Sequence, residues 1–164
     1  MILTESRSLA GVLRHIVVDY RARVASTNGQ CGGFLRTNIA PQLKAGDRVI
    51  YLGDLDLSGG QIEGNTQDVL EREISGALAW ERLALTKTQV REYDLPVIVK
   101  HDRRYKPPRY EPAIECEALQ QHIIVAIVRE WLESLLPEPL EHVHEREARQ
   151  RKRLAALLRA KGTK

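Results

Sequence analysis

The sequence predicts an α/β fold, with a parallel sheet flanked by helices. Three observations predict it. Short apolar runs alternate with segments of helical period over most of the chain. The separations between them are short, as βαβ units require. The stretch Val49–Gly60 passes from an apolar strand through two carboxylates into a small-residue turn able to open a helix.

Each element follows from its residues. Met1 to Thr4 is an apolar opening strand ahead of Glu5. Leu9, Val12, Leu13, Ile16, Val17 and Tyr20 then recur at helical spacing, with Ser8 placed as N-cap and Arg21 closing the helix. Arg23 to Ser26 forms a second short strand, and Asn28-Gly29 and Gly32-Gly33 punctuate a loop. Leu35, Ile39 and Leu43 suggest a helix that Pro41 kinks or shortens. Gly46 suits a left-handed position before the third strand, Arg48 to Gly53. A helix from about Gln61 to Ala79 accounts for Ile62, Val69, Leu70, Ile74 and Leu78. Arg82 to Leu85 is a fourth strand, followed by a short mixed segment from Thr86 to Leu95. Pro96, Pro107, Pro108 and Pro112 frame a long basic loop containing Lys100-His101-Asp102-Arg103-Arg104-Tyr105-Lys106. Ala113 to Cys116 is one more strand, Leu119 to Leu136 an apolar helix, and Pro137 and Pro139 break it. A charged helix from about Leu140 to Ala160 ends the chain. The expected division is a domain over 1–136 and a basic helical extension over 137–164.

Composition narrows the function classes. A chain of 164 residues suits one domain and can bury a core. Two cysteines, Cys31 and Cys116, sit far apart without a paired spacing, which argues against a disulfide framework or a structural zinc site and fits a reducing compartment. No apolar run approaches the roughly 20 residues that span a bilayer, and the N-terminus lacks a signal-peptide pattern. A cytoplasmic setting is expected. The basic excess belongs to the C-terminal segment: from Glu138 onward eight Lys/Arg stand against four Glu. Such a segment can attract nucleic acid without sequence preference, or be a solvated helix face.

The chemistry concentrates at Asp54 and Asp56. Residues two apart on an extended segment point the same way, so both carboxylates can address one point, as a Mg²⁺ site requires. The alternative is that Asp56 or Ser58 caps the next helix and Asp54 is a turn residue. In open parallel sheets, ligands sit beyond the carboxyl ends of the strands. Glu5 follows the first strand. If the first and third strands are neighbours, three carboxylates converge on one edge and imply Mg²⁺ or Mn²⁺. Asp-x-Asp near a strand end also occurs in phosphatases and in glycosyl or nucleotide transferases, although no supporting lysine or threonine motif can be placed beside it here.

Glu5 after a first strand, followed by Asp54-Leu55-Asp56 after a later one, resembles the Toprim domain. The string Tyr51 to Gly59 is most similar to the branch found in type IIB topoisomerase catalytic subunits and meiotic double-strand-break proteins, with further agreement at Leu83 to Val90 and Ile114 to Leu119. Leu57 stands where that branch usually has proline. The resemblance implies a Rossmann-like Toprim fold with a parallel sheet of about four strands. It also implies Asp54 and Asp56 as metal ligands and Glu5 as a third ligand or general acid/base, all three counted as catalytic. In relatives a tyrosine from a winged-helix domain makes the covalent link to DNA. This sequence has no room for that domain ahead of its first strand, so a separate chain carrying the tyrosine is the expected partner. Tyr20 and Tyr51 look like core residues. Lys100, Arg103, Arg104, Lys106 and Arg109 are candidate phosphate contacts near the metal, with Tyr105 and Tyr110 beside them. The expected function is metal-dependent phosphodiester cleavage or transfer on nucleic acid, preferentially DNA. The alternatives are a non-catalytic module that binds metal and DNA, or an assembly protein. A homodimer is compatible with either.

Overall fold

The computed structural model describes residues 1–27, 32–102, 107 and 109–161, with only the backbone described at Asp102, Arg109, Ala160 and Lys161. The expected turn at Asn28-Gly29 lies outside them, as do Cys31, Arg103, Arg104, Tyr105 and Lys106. Two compact units divide the chain, Met1–Ile127 and Val128–Lys164.

The first unit is built on a four-stranded parallel sheet in the order β2-β1-β3-β4, with β1 at Ile2–Thr4, β2 at Val24–Ser26, β3 at Arg48–Leu52 and β4 at Ala79–Ala84. β1 pairs with β3 from Ile2↔Ile50 to Thr4↔Leu52, so the first and third strands are neighbours. Every residue of β1, and β3 from Val49 onward, is buried, which is why these runs, Thr4 apart, are apolar instead of alternating. Helix α1 (Arg7–Val17) joins β1 to β2, and α3 (Leu57–Glu73) joins β3 to β4. The two crossovers advance in opposite directions along the sheet, so right-handed connections place α1 and α3 on opposite faces. On the α3 face, Leu3, Val49 and Tyr51 pack with Val69, Leu70 and Leu78 and with Leu35, Ile39 and Ala40.

Several local expectations are corrected. The N-cap of α1 is Ser6, whose hydroxyl accepts from Leu9 N at 3.2 Å, and not Ser8; the helix stops at Val17, and Arg21 takes φ 52° in the turn beyond. Gly32 and Gly33 are helical, not loop: α2 (Gly32–Phe34) continues through a π-helical turn at Leu35–Ile39 into a 3₁₀ turn at Ala40–Gln42, where Pro41 sits. Gly46 has the expected left-handed backbone, φ 83°. Helix α3 begins at Leu57, four residues before the expected start. The Thr86–Leu95 segment contains α4 (Lys87–Glu92), closed by a reciprocal Thr86/Gln89 capping box.

The larger correction is the basic Pro-rich loop. Its flanks are strands β5 (Ile98–Asp102) and β6 (Arg109–Ala113), an antiparallel pair registered from Ile98↔Ala113 to Asp102↔Arg109. The strand expected at Ala113–Cys116 is thereby shifted upstream, and a 3₁₀ turn occupies Cys116–Ala118. Helix α5 covers Gln121–Ser134.

In the second unit α6 (Leu140–Lys161) carries i,i+4 ion pairs Glu145–Arg149 and Glu147–Arg151. Leu154, Leu157 and Leu158 on it are exposed. Among the described residues no helix is long and apolar enough to cross a membrane.

Candidate functional site: an acidic cluster closed by a lysine

Because the crossovers from β1 and β3 diverge, the crevice between those strands is the switch point of the sheet, the usual place for a ligand in this architecture. Glu5 and Asp54 stand there. The Glu5 backbone N–H extends the ladder to Leu52 O at 2.9 Å, and the Glu5 Oε2 accepts the Asp54 backbone N–H at 3.2 Å. Gly53 makes this approach possible. A Cβ there would lie 2.6 Å from the Tyr51 ring and 3.0 Å from Glu5 Oε2.

Asp54, Leu55 and Asp56 run extended past this point, held by an antiparallel bridge in which Leu55 N–H donates to Ile114 O at 2.9 Å. The two carboxylates address one point, as their spacing requires. Lys100 Nζ, from β5, donates to Asp54 Oδ2 at 3.2 Å and to Asp56 Oδ2 at 2.8 Å. Their other oxygens are taken by backbone donors, Asp54 Oδ1 by Cys116 N–H at 2.9 Å and Asp56 Oδ1 by Gly59 N–H at 2.6 Å. Asp56 is therefore the N-cap of α3 and a member of the cluster at once. The cap and the cluster, alternatives in the sequence, coexist because each uses a different oxygen.

A second layer holds the backbone of the motif. Arg82 Nη1 donates to Gly53 O at 3.0 Å, Asp54 O at 3.3 Å and Leu85 O at 3.1 Å. Its Nε and Nη2 both reach Glu63 Oε2 at 2.7 Å, while Glu63 Oε1 accepts Trp80 Nε1–H at 3.0 Å. The guanidinium also lies 5.4 Å from the Tyr51 ring centroid. Arg82 was not singled out in the sequence. Little in the sequence marked it, because Glu63 and Arg82 stand among other polar and charged residues of α3 and β4.

The electrostatics follow from burial and these partners. Burial pushes the Glu5 carboxyl above its ordinary range, and Asp54 and Asp56 add to that, although the Asp54 N–H opposes it. For Asp56, burial also pushes upward, but Lys100 and the Gly59 N–H outweigh it and hold the carboxyl below the usual range. The same two aspartates raise Lys100 above an ordinary lysine, against the effect of its own burial. Burial, helped by Glu117 and Asp54, pushes the Cys116 thiol up to about 12, which leaves it protonated and unreactive at neutral pH.

The donor set is a hard one suited to Mg²⁺ or Mn²⁺, with carboxylate oxygens from two strand ends. At present the shared point holds an ammonium, and its contacts are longer than the roughly 2.0–2.1 Å of Mg²⁺ ligation. Among the described residues no three His, Cys, Asp or Glu side chains already form a metal-ligating group. A metal held by Asp54 and Asp56 requires Lys100 to withdraw, which its partly exposed side chain permits. Lys100, a candidate phosphate contact, is paired with both aspartates. Arg103, Arg104 and Lys106 lie outside the described residues. Arg109 opens β6. Tyr51 is buried as expected, and Tyr110 is exposed on β6, its ring packed edge-on against His101.

Fold and site together define a class: a parallel α/β domain whose acidic residues meet at the sheet's switch point. No family model, curated protein or solved structure matches the chain.

Proposed function

We propose that this chain is a Toprim-type domain that binds Mg²⁺ or Mn²⁺ at Asp54 and Asp56 and acts on nucleic acid, preferentially DNA. The observation that carries the reading is the convergence of Asp54 Oδ2 and Asp56 Oδ2 on a single cation, one strand away from Glu5. When bound, the metal would stabilise charge on a transferring phosphate and a departing 3′ oxygen. Asp54 and Asp56 hold it. Glu5, with its raised proton affinity, serves as third ligand or moves a proton between its Oε2 and the 3′ oxygen. Lys100, once released from the aspartates, is long enough to meet phosphate oxygens at the same edge. Arg82 keeps the Gly53-Asp54 backbone in place throughout. The attacking group comes from a partner chain, such as a winged-helix protein with a tyrosine, or from water. The surroundings are the reducing cytoplasm.

The test is conversion of supercoiled plasmid to nicked or linear product in Mg²⁺ or Mn²⁺, with and without candidate partner chains. Product that disappears in Asp54→Ala is the expected result. The Lys100 ion pairs favour a second reading, in which the lysine is the resident cation and the domain binds DNA without cutting it, or serves assembly. Salt-sensitive DNA binding with no product would select that reading. Calorimetry showing no Mn²⁺ binding, together with absence of DNA binding, would sink the metal and nucleic-acid roles alike.

A further inference from the structure

Away from the acidic cluster, a cavity of about 430 Å³ opens along the free edge of the sheet, over β2. Its size falls in the range of small-ligand sites, roughly 300–1,000 Å³. The floor is Val24 to Thr27. One wall is α1, which contributes Arg7 and Arg14, and the other is the helical segment 32–42, which contributes Phe34, Asn38 and Gln42. Arg7 and Arg14 are two turns apart on one flank of α1, about 10 Å along its axis. Neither makes an ion pair among the described residues, and no Asp or Glu lines the cavity. Two uncompensated guanidinium forks facing one cavity favour an anion, phosphate above all.

The opposite wall adds a different chemistry. The Phe34 ring is exposed at the rim and offers an apolar face. Asn38 and Gln42 are one turn apart, and their own contacts leave one group of each free. Asn38 Oδ1 accepts from Thr37 Oγ1 at 2.7 Å, and Gln42 Nε2 donates to Asn38 O at 2.6 Å. What remains on this wall is a donor, Asn38 Nδ2, and an acceptor, Gln42 Oε1. A donor and an acceptor on one wall suit the edge of a nucleobase, and an exposed ring suits its face.

We propose that this cavity binds a nucleotide, with its phosphate on Arg7 and Arg14 and its base between Phe34 and the Asn38/Gln42 edge. The occupant is a free mononucleotide or the 5′-phosphorylated end of a strand, which share this chemistry. The site goes beyond the metal reading and stands without it. Calorimetric titration of the full chain with each nucleoside monophosphate, a 5′-phosphorylated dinucleotide and inorganic phosphate tests it. At least one nucleotide probe should saturate and should bind more tightly than inorganic phosphate. Arg14→Ala should weaken that binding roughly tenfold or more, Asn38→Ala should weaken it and change the base preference, and Asp54→Ala should leave it unchanged. Saturation by the dinucleotide alone would identify a strand end as the occupant. All four substituted residues are exposed or half-buried, and unchanged thermal unfolding of the Arg7, Arg14 and Asn38 variants separates lost binding from lost fold. The proposal is overturned if no nucleotide saturates at millimolar concentration, if phosphate alone binds equally well, or if neither Arg7→Ala nor Arg14→Ala weakens binding.

Discussion

Removing the Lys100 ammonium would leave Asp54 and Asp56 facing each other with no cation between them. Lys100 is partly exposed, so the loss in Lys100→Met is about 1 kcal/mol near neutral pH, well below that of a buried pair. Its pH dependence follows from the shifts. Asp56 is depressed in the folded chain, so its contribution is present above the ordinary aspartate value near 3.9 and is lost as pH falls through its lower folded value. Lys100 is raised, so its contribution is present below about 10.4 and is lost as pH rises through its higher folded value. Urea unfolding of native and variant chains should therefore differ between about pH 4 and 10 and converge toward pH 2. Glu5 has the opposite sign to Asp56. Its raised folded value means the folded chain binds the proton more tightly, so stability falls as pH rises through the window between the unfolded and folded values. Glu5→Gln keeps an acceptor for the Asp54 N–H and should be as stable as the native chain or more so at pH 7. Metal-dependent activity should nevertheless fall sharply. Paired melting and plasmid assays check both halves.

At the scale of elements, the start of α3 fixes the geometry of the motif. A Cβ on Gly59 would lie 2.4 Å from the Asp54 carbonyl oxygen, whereas one on Gly60 meets nothing within 4 Å. Helix propensity alone favours alanine at either site by about 1 kcal/mol. Gly60→Ala should accordingly be neutral or stabilising, while Gly59→Ala should be destabilised by about 1–3 kcal/mol, because backbone must move and the Asp56 cap with it. Denaturant midpoints of the two variants make the comparison. Elements packed on the parallel sheet were the legible ones. Leu9, Leu13 and Val17 of α1 and the run Val49 to Leu52 carry their burial openly in their period. Glu5, Asp54 and Asp56 were legible as a group for the same reason, since each follows a recognisable strand. The β5–β6 hairpin was not. Ile98, Val99 and Tyr110 are exposed, so no buried face imposes alternation on either strand. Pro112 can sit in β6 because each strand of a two-stranded sheet has a free edge. Lys100 could be seen as basic but not as the partner of Asp54 and Asp56, because that contact depends on a hairpin the pattern does not announce. The N-cap of α1, expected at Ser8, is Ser6, because it is the Ser6 hydroxyl that reaches the Leu9 N–H.

At the scale of the whole molecule, the site belongs to the first unit, where the acidic cluster joins β1, β3, the start of α3 and the hairpin. A ligand bound only by the folded chain must raise its stability, by about 2.7 kcal/mol at a hundredfold excess over Kd. For a domain of this size that corresponds to a rise in Tm of roughly 5–10 °C. Mn²⁺ should produce such a rise in the native chain and none in Asp54→Ala. The lysine sets the sign of the remaining comparison. Nζ now holds the oxygens a metal would take, so the measured affinity includes the work of breaking two charge-assisted hydrogen bonds. Lys100→Met, less stable without metal, should therefore show a larger rise with Mn²⁺ than the native chain, and the two melting curves should draw together as the metal saturates. A lysine that instead helped to hold the ion would give the reverse order, with the smallest rise in Lys100→Met. Melting curves over a Mn²⁺ series for the three chains tell these outcomes apart.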